Sequence, residues 1–399
     1  MTKDSFNFIY GDTIGAARAA LDPGAFGYYS GGALEQVTVS ESAESWKRFR
    51  FVAKIPETRG DTSTAVEFAG MELPNPVFIS PMACQSLLHV EAESGMAQAA
   101  ALVNVGYALS TRTSVPIPKV AEAYYDTSAV ERLRSQLPLW HQAALEQLGH
   151  SGADRRWLPM FQVYQMEDSS ISDALVQEAK ECGFAAVLLT IDTPTIGIRL
   201  NDRRESFSLP DTYPEVVFER MGKGSDGSTE GKSSLFQPRG RINSLSQDKT
   251  VGMTAVSHLV GVGGLPVVVK GVSRASDLRA AMEHGAAGGL FSTHGGRQLD
   301  RIRSTADSLF AELESSCDPS VAADGGVRTG TDVLTAMCLG ASAVGIGRFA
   351  AWAFAAGGPV GLACYLIEVL TELRLSLLLI GVDSPNELDR TMLDRQGDR

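Results

Sequence analysis

Cysteine is scarce and scattered in this chain. The five cysteines (Cys84, Cys182, Cys317, Cys338 and Cys364) are odd in number and never spaced C-x-x-C, which argues against a disulfide framework or a thiolate zinc site and points to free thiols in a reducing compartment. Histidine is equally thin: there are six, none in an H-E-x-x-H or other ligand spacing, so no protein-bound metal is expected. Basic charge is in deficit, with 35 Lys and Arg against 47 Asp and Glu and a formal net charge of -12, which argues against a nucleic-acid or anionic-membrane surface. No stretch approaches the roughly 18 apolar residues of a membrane span. The opening MTKDSFNFIYGD lacks the basic start and apolar core of a leader peptide. Together these absences read as a soluble, cytoplasmic protein. No internal repeat or low-complexity tract stands out.

The chain has 399 residues, 44% of them hydrophobic, ample for a sizeable core. From residue 76 onward, short apolar runs alternate with amphipathic segments: PVFIS (76–80), GYALS (106–110), LPMFQVY (158–164), AAVLLTID (185–192), LPVVVK (265–270), AGGLFS (287–292), PSVAAD (319–324) and SAVGIG (342–347). Eight strands separated by helical crossovers imply parallel pairing and closure into an α/β (β/α)8 TIM barrel, preceded by an N-terminal helical segment and occupying residues 1–399 as a single domain. A doubly wound open sheet is the alternative. SISDALVQEAKECG and SRASDLRAAMEHGA read as helices opened by a Ser or Asp cap and closed by Gly. Two stretches exceed a minimal barrel. Residues 211–248, rich in Gly, Ser and charge, read as a lid over the active site or a solvated loop. Residues 116–157, with a helix expected over SAVERLRSQLPLWHQAALEQLG, read as a surface insertion or an oligomer contact.

In such barrels the active site is assembled at the carboxyl ends of the strands. Those ends carry Ala83 and Gln85; Ser110; Gln162 and Tyr164; Thr190 and Asp192, with Arg199 beyond; Lys270; Ser292, His294 and Arg297; Asp324, Gly326 and Arg328; and Gly347 and Arg348. DGGVRTG and GIGR place glycines and arginines after the last two strands, where backbone N–H groups and a helix N-terminus bind phosphate, although paired glycines also make plain tight turns. Lys270, ending an apolar run, is costly to bury unpaired, so it either joins a salt bridge or faces an electron-rich ligand. His294 alone reads as a structural histidine; with an acid such as Asp192 to orient it, the imidazole becomes a proton acceptor near neutral pH. Arg199 and Arg297 supply planar donors for a carboxylate. A base beside a carboxylate clamp implies an acid substrate that loses a proton near its carboxylate.

Together STHGGRQLD, DGGVRTGTDV, TIDTP with its later Arg, the segment from SPMACQ to H-x-E, and FGYYSGGA resemble the FMN-dependent 2-hydroxy acid oxidase and dehydrogenase family, which includes glycolate oxidase, lactate monooxygenase and mandelate dehydrogenase. The likeness runs from about residue 20 to 385. It implies a (β/α)8 barrel holding FMN, with Ala83, Ser110, Gln162, Thr190, Lys270, Ser292, Asp324, Gly326, Arg328, Gly347 and Arg348 at flavin positions. It implies a catalytic set of Tyr28, Tyr164, Asp192 and His294, with Arg199 and Arg297 on the substrate carboxylate. It further implies dioxygen or another acceptor as co-substrate and a homo-oligomer, tetrameric in many relatives.

The chain departs from the family pattern in several places. Arg112, in STRTS, stands where many members carry an aromatic residue and adds a positive charge facing the substrate side chain. RIRSTADSLF replaces a continuation toward Pro-Ala after RQLD, and GRF replaces GRP. The expected reaction is oxidation of a 2-hydroxy acid to its 2-oxo acid, by hydride transfer or through a carbanion. A second reading is a biosynthetic tailoring oxidase acting on an amino acid or a carrier-bound or peptide-like substrate. A non-redox flavin isomerase has no use for Arg199 and Arg297 beside His294, and the complete set of polar strand ends speaks against a flavin protein that has lost catalysis.

Overall fold

A computed structural model describes residues 12–55, 61–149, 157–201, 247–313 and 318–396. Ahead of the barrel lie helices α1 (Thr13–Ala20), α2 (Pro23–Ser30) and α3 (Val37–Trp46), strand β1 (Phe49–Phe51) and the hairpin β2 (Val66–Phe68) and β3 (Met71–Leu73). Eight strands follow: β4 (Val77–Ile79), β5 (Gly106–Ser110), β6 (Met160–Tyr164), β7 (Ala186–Thr190), β8 (Val267–Val272), β9 (Gly288–Phe291), β10 (Asp318–Asp324) and β11 (Ala341–Ile346). They close in sequential order, every pair parallel. Each of the eight apolar runs is therefore a barrel strand. The reason is two-sided burial: all five residues of β5 and of β7 are buried, as are all six of β11, so these strands read as continuous apolar runs.

Parallel closure brings all the strand carboxyl ends to one mouth and sets them side by side. Ser110 pairs with Gln162, Tyr164 with Thr190, and Thr190 with Lys270. The opposite end is covered by the β2–β3 hairpin, whose Ala69 N–H donates to the Pro319 carbonyl (2.8 Å).

The crossover helices are α4 (Ala92–Val103), α8 (Ser169–Glu181), α9 (Met253–Gly263), α10 (Ala275–Glu283), α11 (Thr305–Glu312), α12 (Gly330–Cys338) and α13 (Arg348–Ile380), with β12 (Leu393–Arg395) returning to pair with β1. The enlarged connection holds α5 (Ile117–Tyr125), α6 (Thr127–Gln136) and α7 (Leu139–Gln147). The single helix expected over residues 128–149 is thus two helices. Pro138 stands at the N-cap of α7 and disfavours helical backbone at Leu137, which is extended at ψ 145°. The helix expected to open at a Ser or Asp in SRASD has Arg274 at its N-cap, without a side-chain cap, while α8 is capped by Asp168. The expected lid, 211–248, lies outside the described residues except for its last two. Of these, Gln247 bridges to Met166 and Asp248 donates its N–H to Gln165 O (2.9 Å).

At the end of α13, Gly381 adopts φ 92° and accepts no side chain without strain: a Cβ there collides with the Lys54 carbonyl, on the segment that bonds Ile380 O through Lys54 N (3.0 Å). Gly381→Ala is expected to destabilise the fold by about 1–3 kcal/mol, through left-handed strain and displacement of residues 52–54. Chemical denaturation of the two proteins checks this; equal midpoints contradict it.

Candidate active site

A cavity of about 220 Å³ opens at the carboxyl mouth of the barrel. It is lined by residues from the barrel strand ends and from the N-terminal helices. A hydrogen-bonded relay runs along three adjacent strands: Ser110 Oγ donates to Gln162 Oε1 (2.9 Å), and Gln162 Nε2 donates to Thr190 Oγ1 (3.0 Å). This fixes which face of the Gln162 amide meets the cavity. Next in the ring, Lys270 Nζ donates to Ser292 Oγ (3.3 Å), which also accepts the His294 N–H (3.1 Å). Lys270 has no carboxylate in ion-pair contact among the described residues. Burial works to discharge its ammonium, but the fields of Asp192 and Asp324 overcome this and raise its pKa, so it stays a cation.

His294 and Asp192 form a hydrogen-bonded pair at the mouth. His294 Nδ1 lies 3.0 Å from Asp192 Oδ1, so the carboxylate selects the Nδ1–H tautomer and leaves the Nε2 lone pair to the cavity. Burial, aided by Lys270 and Arg199, lowers the imidazole pKa against the opposing pull of Asp192. Burial alone would raise Asp192, yet His294 and Lys270 hold its pKa below the usual carboxylate value. The pair exists because of two backbone features that spacing does not reveal. His294 sits at φ 52°, and Gly271, at φ 103° beside the register shift in β8, leaves the space that the Asp192 carboxyl fills.

Above the mouth, the N-terminal helices are stitched down by side chains from the far end of the chain. Tyr29 donates its hydroxyl to the carbonyls of Ala83 (2.5 Å) and Cys84 (2.9 Å). Arg348 Nε and Nη2 donate to Tyr29 O and Gly31 O (both 2.8 Å), and Arg297 Nη1 donates to Tyr28 O and Gly31 O. The Arg297 guanidinium lies 4.7 Å from the centre of the Tyr28 ring, and its buried Nη2 has no hydrogen-bond partner among the described residues. Burial raises the pKa values of Tyr28 and Tyr164, keeping both phenols protonated and able to donate.

The sequence profile of FMN-dependent dehydrogenases matches residues 17–395. The chain belongs to that family. Glycolate oxidase 3 of Oryza sativa subsp. indica is 32% identical over 384 residues, covering 96% of this chain and 95% of the relative. L-lactate oxidase of Nostoc sp. is 30% identical over 381 residues, covering 94% of this chain and 95% of the relative. Among solved structures, mandelate oxidase with benzoyl-formic acid superposes with a TM-score of 0.75 at 28% identity, covering 96% of each chain.

FMN is the cofactor of this family, and the mouth fits it. Helix α13 opens at Gly347 without a side-chain cap, and a Cβ built on Gly347 has only the Ser80 Cβ within reach, at 3.9 Å. Open space therefore faces the uncapped N–H groups, with Arg328 and Arg348 beside it. Neither arginine pairs with a carboxylate among the described residues. Burial and the neighbouring Arg297, Arg199 and Arg328 push Arg348 down to about 9, so the site is short of negative charge, which a phosphate dianion supplies. The relay through Gln162 and the Lys270 ammonium offer polar contacts for a flavin ring.

Of the residues expected from the sequence, Tyr28, Ala83, Ser110, Arg112, Gln162, Tyr164, Thr190, Arg199, Lys270, His294, Arg297, Asp324, Gly326, Arg328, Gly347 and Arg348 all line this one cavity. Asp192 and Ser292 stand behind it, bonded to His294 and Lys270. Arg348 and Arg297 differ from expectation: each commits part of its guanidinium to backbone carbonyls of residues 28–31, leaving less than a full bidentate face for a ligand. Sequence reasoning missed Ser80, whose Oγ donates to Asp324 Oδ2 (3.0 Å), and the wall built by Tyr29, Ser42, Phe349 and Trp352. Ser80 ends the first apolar run and was open to discovery as a strand-end polar group, whereas the others lie on helices.

Arg328→Ala is expected to weaken FMN retention about 10–100-fold, the scale of one charge-assisted hydrogen bond. The ratio of flavin to protein absorbance after gel filtration, with back-titration of FMN, measures it. Unchanged affinity contradicts the phosphate assignment.

Proposed function

We propose that this cavity oxidises the C2 hydroxyl of a small or medium 2-hydroxy acid to the 2-oxo acid. The observation that carries the reading is the His294–Asp192 pair at 3.0 Å, set beside Arg199 and Arg297 in the cavity that fits FMN. The relatives, named as oxidases of glycolate, L-lactate and mandelate, support the same substrate class. Bound FMN supplies the two-electron acceptor, to be reoxidised by dioxygen or another acceptor.

The residues then divide the work. Arg199 and the unpartnered Nη2 of Arg297 bind the carboxylate and orient C2. The phenols of Tyr28 and Tyr164 donate to the hydroxyl oxygen as it becomes a carbonyl. His294 Nε2 takes the substrate proton, and Asp192 stabilises the imidazolium that results. Lys270, kept charged by Asp192 and Asp324, would place a positive charge beside the bound cofactor. The tailoring oxidase of amino acids or carrier-bound substrates is not favoured by these relatives. We place the enzyme in the cytoplasm as a homo-oligomer. Five scattered cysteines with no C-x-x-C spacing support a reducing compartment, exposed Leu139, Leu375 and Leu379 support self-association, and no helix among the described residues is long and apolar enough to cross a membrane.

His294→Ala is expected to slow flavin reduction by about 10²–10⁴-fold with FMN still bound. The active base is the neutral imidazole, and its pKa is lowered, so the acid limb of kcat/KM falls below the ordinary histidine value of about 6.5. Asp192→Asn removes the interaction that raises that pKa and moves the limb lower still. Stopped-flow reduction across pH reads both effects. Near wild-type reduction in H294A, or a limb above pH 7, contradicts the assignment.

A further inference from the structure

Among the described residues, six cationic side chains line the cavity (Arg112, Arg199, Lys270, Arg297, Arg328 and Arg348) against a single lining carboxylate, Asp324. Five of the six have work assigned. Lys270 stands in the field of Asp192 and Asp324. Arg328 and Arg348 flank the space for the cofactor phosphate, and Arg199 and Arg297 face the substrate carboxylate. Arg112 is left over. Its side chain is half-buried and makes no hydrogen bond or ion pair among the described residues. A guanidinium taken partly out of water without a counter-charge is unfavourable unless a ligand supplies one.

Its place in the cavity is well defined. The Arg112 backbone is held at both ends: its N–H donates to Ser110 Oγ (3.2 Å), and its carbonyl accepts from the Cys84 N–H (3.0 Å). Two residues on, the carboxylate of buried Glu93 accepts the N–H groups of Ser114 (2.9 Å) and Gln85 (3.1 Å), clamping the loops after β5 and β4 together. The charge of Arg112 is felt at both Tyr28 and Tyr164, whereas the charges that dominate at His294 are Asp192, Lys270 and Arg199. Arg112 therefore sits on the tyrosine side of the cavity, away from the proton-accepting pair and on an ordered loop.

We propose that Arg112 binds a second carboxylate on the substrate, so that the acid oxidised here is a 2-hydroxydicarboxylate. The proposal rests on the reading of the cavity as a 2-hydroxy acid oxidase and names its substrate class. One carboxylate lies in the Arg199–Arg297 clamp with C2 presented to His294, and the far carboxylate reaches past the tyrosines to Arg112. A fixed guanidinium there selects for charge at the far end of the chain and against an apolar terminus, which leaves the cation desolvated and unpaired.

The test compares holoenzyme and the variants Arg112→Gln and Arg112→Lys, by anaerobic flavin reduction, on acids matched in length: malate against 2-hydroxybutanoate, and 2-hydroxyglutarate against 2-hydroxypentanoate. Calorimetric titration with 2-oxoglutarate and 2-oxopentanoate reads binding independently of turnover. The wild type is expected to favour the diacids, with the diacid-to-monoacid ratio of kcat/KM falling about 10–100-fold in R112Q, the scale of a lost charge-assisted hydrogen bond, and by less in R112K. A wild type that favours monoacids, or a ratio unmoved in R112Q, overturns the proposal and shows that Arg112 is neutralised within the protein. If no acid of either kind reduces the flavin, the oxidase reading fails by itself. The calorimetric preference for the oxo diacid, and its loss in R112Q, then still decides the role of Arg112.

Discussion

The barrel mouth gathers more positive charge than it neutralises, and the rest of the site depends on that imbalance. Arg348 shows the strain directly: burial among three other guanidiniums pushes its pKa down to about 9. A protein with a net charge of -12 has no shortage of acids, yet among the described residues Asp324 is the only carboxylate that lines the cavity, with Asp192 behind it at His294. Such a field suits the mouth to anions, the phosphate of FMN and, on the proposed reading, a substrate carboxylate. It also favours the developing negative charge of the reaction, in a partly dry cavity where fixed charges act strongly.

The same field acts on His294, the proposed base. Burial is the largest influence lowering the His294 pKa, and the positive charges of Lys270 and Arg199 act in the same sense. Asp192 opposes them just enough to orient the ring and hold it in one tautomer. Helices α2 and α3 complete the mouth. Trp46 Nε1 bonds Gly325 O (2.9 Å), and the Asp300 carboxylate accepts the N–H groups of Glu35 (3.1 Å) and Thr38 (3.0 Å). Through these bonds the turn that carries His294 and Arg297 is tied to the segment that carries Tyr28. The proposed substrate clamp, proton acceptor and hydroxyl donors are thus joined by hydrogen bonds between distant parts of the chain.

Much of this was legible in the sequence, for a physical reason. Two-sided burial writes each parallel strand as an apolar run, and the first polar residue after the run falls at the mouth, so reading strand ends amounts to reading the site. What stayed hidden depends on contacts between residues far apart in the chain. The Thr38–Asp300 bond spans 262 positions, and nothing in FGYYSGGA alone shows that Tyr29 anchors to Ala83 or that Arg348 and Arg297 grip the backbone of residues 28–31. The space that Gly271 leaves for Asp192 is likewise a packing fact, and Pro138 turned one expected helix into two where periodicity alone suggested continuity.

The most direct measurement is anaerobic mixing of the FMN-loaded enzyme with a panel of 2-hydroxy acids and their 2-hydroxy amides, followed by flavin absorbance. If the cationic mouth and His294 act together on an anionic substrate, acids bleach the flavin and the matched amides, lacking the carboxylate charge, do so at least about 100-fold more slowly, as expected when a charge-assisted contact is lost at the reacting end. Equal bleaching by amide and acid, or no bleaching by any acid, contradicts the oxidation of a 2-hydroxy acid in this cavity.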